Sequence, residues 1–149
     1  MINLSSVLEV VSATHPGMVR SHNEDSIAAD AEIGLAVLAD GMGGYNAGEV
    51  ASGIAVELIR TEMKKSLSNK NPEELNGRDA EQLIEKHATR ANIAIYQASQ
   101  SQPQYSGMGT TLVVALWHDN QISVGHIGDS RLYRLRGGAL EQITRDHSL

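Results

Sequence analysis

The chain has 149 residues, 41% of them hydrophobic, with 12 basic and 18 acidic side chains and a formal net charge of −6. That length suits one domain with a real core, which must be aliphatic because Phe is absent. The acidic balance and the lack of any Lys/Arg run argue against nucleic acid or an anionic membrane as the main partner. Cysteine is also absent, which excludes disulfides, zinc-thiolate sites and a cysteinyl-phosphate intermediate. No apolar run approaches membrane-span length, and Met1-Ile2-Asn3-Leu4 lacks a basic signal-peptide region, so a cytoplasmic protein is expected.

In chain order, Val7 to Ala13 reads as a first strand, followed by a turn at His15-Pro16-Gly17. Ser26 to Ala29 reads as a short second strand and Gly34 to Ala39 as a buried third. From about Asn46 to Leu67, Val50, Ala51, Ile54, Leu58 and Ile59 recur at helical spacing, with Lys64 and Lys65 late enough to complement the helix dipole. Ser68 to Pro72 breaks that pattern, and the polar stretch to Arg78 reads as loop. Asp79 and Gln82 resemble a capping box. Behind them Ile84, His87, Ala91, Ile95 and Ala98 mark one face of a second helix, with His87 as a core residue. Gln100 to Met108 reads as a polar loop. Thr110 to Trp117 and Gln121 to Ile127 form a strand pair around Asp119-Asn120, and Gly137-Gly138 marks a closing hairpin. Strands, two helices, then more strands predict an α+β domain with antiparallel sheet and a helical layer.

The chemistry gathers at four places. Asp40 follows an apolar run and precedes Gly41, Gly43 and Gly44; a carboxylate beside bare backbone suits a hard divalent cation. Glu24 and Asp25 lie in Arg20-Ser21-His22-Asn23-Glu24-Asp25. Asp129 follows another apolar strand and a glycine. Strands ending in such residues can converge at one sheet edge, where carboxylates repel unless cations neutralise them. Arg20 offers a planar fork for phosphate. Each residue also has a plainer reading: a surface ion pair for Arg20 with Glu24 or Asp25, a turn for Asp129-Ser130, and loop geometry for Gly43-Gly44. No histidine pair has metal-ligand spacing.

Taken together, Arg-x-x-Asn-Glu-Asp (Arg20 to Asp25), Asp-Gly-Met-Gly-Gly (Asp40 to Gly44), Gly-Met-Gly-Thr-Thr (Gly107 to Thr111), Gly-Asp-Ser-Arg (Gly128 to Arg131) and Asp146-His147-Ser148 form an ordered set. The set strongly resembles the metal-dependent type 2C (PPM) Ser/Thr protein phosphatases in their compact bacterial form, from about Val11 to Leu149. The resemblance implies an antiparallel β-sandwich flanked by helices, with a binuclear Mg²⁺ or Mn²⁺ site at one end. It implies hydrolysis of phosphoserine and phosphothreonine by a metal-bridging hydroxide. Asp40 would bridge the metals, the Gly41 carbonyl would bind one, Glu24 would hold metal-bound water, and Asp25 would support the site. Asp129 matches the ligand of a third, weaker metal, and Arg20 matches the arginine that holds substrate phosphate. Met42 stands where some eukaryotic members carry a histidine proposed as general acid.

Complete members continue with further metal-binding aspartates in Ser-Asp-Gly and Asp-Asn motifs. Neither motif follows Asp129, so residues 1–149 are expected to be the N-terminal part of a single phosphatase domain with an incomplete sandwich. The partners implied are phosphoproteins, substrates of a cognate Ser/Thr kinase. Two alternatives remain. One is an inactive fragment or pseudophosphatase acting as a phosphoprotein-binding module. The other is a half-built domain that completes its sheet by pairing with itself or another chain.

Overall fold

The computed structural model describes residues 3–71 and 74–148. Strands β1 (Asp25–Asp30) and β2 (Leu35–Met42) come first, then helices α1 (Ala47–Leu67) and α2 (Gly77–Ser101). A 3-10 turn at Pro103–Tyr105 leads into β3 (Gly109–Thr110), β4 (Leu112–His118), β5 (Gln121–Ile127), β6 (Tyr133–Arg136) and β7 (Ala139–Gln142). The main sheet is antiparallel in the order β1-β2-β4-β5, with β3 on the end of β2, and β6 and β7 pair in a separate hairpin. This is the expected α+β architecture, seen as one sheet layer under two helices.

Alternation along the strands decides which residues meet the helices. Leu35, Val37 and Ala39 of β2 and Leu112, Val114 and Leu116 of β4 are buried against Ala51, Ala55, Ile59 and Met63 of α1 and Ile84, Ala91 and Ile95 of α2. The small α1 residues let that helix lie close over β2. His87 is buried as expected, with its Nε2 3.1 Å from Ser66 Oγ. The opposite sheet face is also apolar: Leu38, Val113, Ala115 and Trp117 line a groove there with Val10 and Leu132, and Leu38 remains 39% exposed.

Three local expectations are corrected. Val7 to Ala13 forms no strand; Val11 is 85% exposed and pairs with no strand among the described residues, and β-branched composition makes no ladder without a partner. The cap of α2 is Asn76, whose side chain accepts the Asp79 N–H at 2.8 Å; Asp79 already lies in the first turn. The strand carrying Asp40 runs on to Met42, because Gly41 and Met42 pair with Thr110 and Gly109. Pro72, part of the expected break, lies outside the described residues, as do Met1, Ile2, Glu73 and Leu149. The turn at Asp119-Asn120 forms as expected, with both residues at positive φ.

Candidate metal centre

Asp40 and Asp25 are direct cross-strand partners in β2 and β1. Both fall on the face away from the helices, since Ala39 and Gly41 on either side of Asp40 are buried. Like charges directly opposite in a sheet repel. The Asp40 carboxyl is accordingly held above its ordinary value, first by partial desolvation, then by hydrogen bonding and repulsion from Asp25, with Asp129 adding to it. Arg20 opposes the shift. Asp25, Asp129 and Arg20 therefore all act on Asp40. β2 and β5 are each antiparallel to β4, so they run parallel and their C-terminal ends share one sheet edge. Arg20 is exposed and makes no ion pair with Glu24 or Asp25 among the described residues, which removes the plainer reading of that arginine.

Glu24 takes the other side of the sheet. Its carbonyl accepts from Gly41 N–H at 3.0 Å and from the buried Ser52 hydroxyl of α1 at 2.6 Å. Ser52 also lies 3.0 Å from Ser26 Oγ. The Glu24 side chain is tucked against Gly48 in the first turn of α1, and its Oε2 is buried with no hydrogen-bond partner among the described residues. A Cβ on Gly48 would collide with that carboxylate, and a Cβ on Gly41 would run into the Gly48 carbonyl. These two glycines allow helix, strand and acid to meet.

The donor set suits a hard divalent cation. Asp25 and Asp40 are crowded at one sheet edge and Asp40 is destabilised as an anion by its neighbour; a cation there would relieve the repulsion. Among the described residues no three carboxylate or imidazole side chains form a complete ion site by themselves. Met42 is 63% exposed and carries no transferable proton.

Two groups in the site are ones the sequence singled out as motifs without a role. Asp40 N–H donates to Thr111 Oγ1 at 2.9 Å, and Thr111 Oγ1 lies 2.7 Å from Ser130 Oγ. Asp146 receives the Arg131 guanidinium at both carboxylate oxygens, which holds the Asp146 carboxyl below the usual carboxylate range. The signal for these was the Gly-Met-Gly-Thr-Thr and Asp-His-Ser runs themselves. Their partners, 71 and 15 residues away in sequence, are visible only in the fold.

Residues 18–148 match the protein phosphatase 2C family. The chain is 39% identical over 146 residues to the serine/threonine protein phosphatase PstP of Mycobacterium tuberculosis, covering 98% of this chain and 26% of that one. It is 37% identical over 139 residues to the serine/threonine phosphatase stp of Listeria monocytogenes, covering 91% and 53%. Its fold superposes on the crystal structure of the PstP catalytic domain, a complex with 2 manganese ions, with a TM-score of 0.76 and 39% identity over 89% of this chain and 53% of that one. The chain thus spans about half of the stp sequence and of the PstP catalytic domain, and about a quarter of full-length PstP. With the family's ordered motifs assembled on the family's sheet and helix layer, this chain belongs to the protein phosphatase 2C family.

Proposed function

We propose that this protein hydrolyses phosphoserine and phosphothreonine in proteins, using a Mg²⁺ or Mn²⁺ pair with a third, weaker site, and that residues 1–149 form the N-terminal part of a single phosphatase domain. The observation that carries the reading is the cross-strand pair Asp25 and Asp40 at one sheet edge, with Asp129 and Arg20 both acting on Asp40. Relatives named as Ser/Thr phosphatases and a PstP structure with 2 manganese ions support it.

In this reading Asp40 and the Gly41 carbonyl hold the metal pair, Asp129 holds the third ion, Glu24 anchors metal-site water, and Asp25 supports Asp40. Bound divalent ions would lower the pKa of water and offset charge developing on the phosphoryl group. Arg20, which is exposed, grips and orients the phosphate oxygens through its planar fork. Met42 cannot protonate the departing serine or threonine oxygen, so that proton comes from another group. The substrates are phosphoproteins, made by a Ser/Thr kinase acting in the same signalling circuit. No helix among the described residues is long and apolar enough to cross a membrane, which accords with the cytoplasmic location we infer.

The apolar face around Leu38, Ala115 and Trp117 supports the domain assignment, since a second sheet would cover it as in a sandwich. With residues 1–149 in isolation, self-association would cover the same surface.

The test is phosphate release from a phosphothreonine peptide by the full-length protein. Turnover is expected with Mn²⁺ and none after chelation. Asp40→Asn, which keeps the shape and removes the charge, should lower turnover by several orders of magnitude. Near-normal turnover by that variant at saturating Mn²⁺ would overturn the assignment.

A further inference from the structure

One ladder bond is rerouted at Asp40. β2 keeps a single register along its neighbour: Leu38 faces Val113 and Gly41 faces Thr110, so Asp40 faces Thr111. Thr111 N–H donates to the Asp40 carbonyl at 2.9 Å, as an antiparallel pair requires. The return bond goes elsewhere. Asp40 N–H donates to the Thr111 hydroxyl at 2.9 Å, and the Thr111 carbonyl accepts from the Thr110 hydroxyl at 2.8 Å. Thr111 is also the residue at which β3 and β4 are interrupted.

The hydroxyl that accepts from Asp40 also meets Ser130 Oγ at 2.7 Å, and Ser130 follows Asp129. A chain of two hydroxyls therefore links the backbone of one acidic residue to the neighbour of the other. Gly128 makes the approach feasible: it sits at φ +98°, and a Cβ there would come 2.8 Å from the Thr111 methyl. The far side of the Asp129 loop is clamped as well. His147 N–H donates to the Gly128 carbonyl at 2.9 Å, and Gly128 N–H donates to His147 Nδ1 at 3.2 Å. The His147 ring stacks on His126 with centroids 4.5 Å apart. Arg131 Nε and Nη2 donate to Asp146 at 3.0 and 2.7 Å.

We propose that Thr111 and Ser130 are positioning residues, a hydroxyl strut that sets the separation between Asp40 and Asp129, with Asp146 and His147 holding the loop from behind. The proposal rests on the metal-centre reading above and gives the Gly-Met-Gly-Thr-Thr and Asp-His-Ser motifs a role in it. Groups that orient metal ligands from behind matter nearly as much as the ligands. The strut's hydroxyls bond the Asp40 amide and each other, not Arg20, so they should act on metal binding and turnover rather than on substrate affinity.

The test is Mn²⁺ titration of the full-length protein by calorimetry, with Thr111→Val, Thr111→Ser and Ser130→Ala. Valine keeps the methyl beside Gly128 and removes the hydroxyl; serine restores it. Thr111→Val is expected to bind Mn²⁺ about tenfold more weakly, with lower kcat and an unchanged KM for phosphopeptide, while Thr111→Ser stays near wild type. Wild-type Mn²⁺ affinity in Thr111→Val would overturn the strut, as would equal weakening in Thr111→Ser. If Thr111→Val does not fold, Ser130→Ala decides in the same way, because it keeps the Asp40 amide bond and removes only the far end. A wild-type protein that binds no Mn²⁺ would overturn the metal-centre reading together with the strut; the other outcomes leave that reading standing.

Discussion

Helix α1 contains two glycines, and the same substitution should act on them with opposite sign. In a helix, alanine is favoured over glycine by about 1 kcal/mol. At Gly53 an added Cβ meets nothing within 4 Å, so Gly53→Ala should stabilise by roughly 0.5–1 kcal/mol. At Gly48 the same methyl would strike the Glu24 carboxylate and come 2.7 Å from the Met42 amide nitrogen. Overpacking of this kind costs about 1–3 kcal/mol, and the upper part of that range applies because a strand backbone cannot swing aside. Subtracting the propensity gain leaves Gly48→Ala destabilised by about 1–2 kcal/mol. The two variants should differ by about 1.5–3 kcal/mol, which is on the order of 5–10 °C in Tm for a domain of this size or somewhat larger. Thermal unfolding of the full-length protein in the presence of a chelator would read this without interference from metal. Gly48→Ala should also lower Mn²⁺-dependent turnover, since Glu24 must move. A Gly48→Ala variant melting at or above Gly53→Ala would refute the argument that this glycine exists to admit the acid.

Arg20→Ala should raise KM for phosphopeptide by about tenfold, the value of a charge-assisted contact to phosphate, while Mn²⁺ affinity stays unchanged; steady-state kinetics and a metal titration check both halves. His87 predicts a pH dependence of stability. It is 1% exposed, its Nδ1 has no hydrogen-bond partner among the described residues, and its pKa is lowered, first by burial and then by Lys86, with Arg90 adding to this and Glu62 opposing it. The unfolded chain therefore binds the proton more readily than the folded one. Stability is fully present above the unfolded value of about 6.5 and falls as pH drops below it, with a slope of at most about 1.4 kcal/mol per pH unit for one proton. Urea unfolding between about pH 7 and pH 5.5 should show the loss, and His87→Gln should flatten the slope; an unchanged slope would assign it to other groups.

Local pattern was enough to specify most of the elements. The 3.6-residue spacing in α1 and α2, the apolar run of β2, the Asp119-Asn120 turn and the Gly137-Gly138 hairpin all form where the residues say, because each depends on neighbours a few positions away. The ordered motifs also carried the family. What failed locally failed for lack of a partner: Val7 to Ala13 has strand composition, but no described strand lies beside it to pair with.

Tertiary structure alone decided how the centre is put together. Period-two alternation sends Asp25 and Asp40 to one face and Glu24 to the other, beneath Gly48, but only the β1–β2 register makes the two aspartates direct partners. The reach from Asp40 to Thr111 spans 71 residues and that from Thr111 to Ser130 spans 19. No periodicity encodes such bonds, because they exist only once β4 lies between β2 and β5 and brings two strand ends to the same edge.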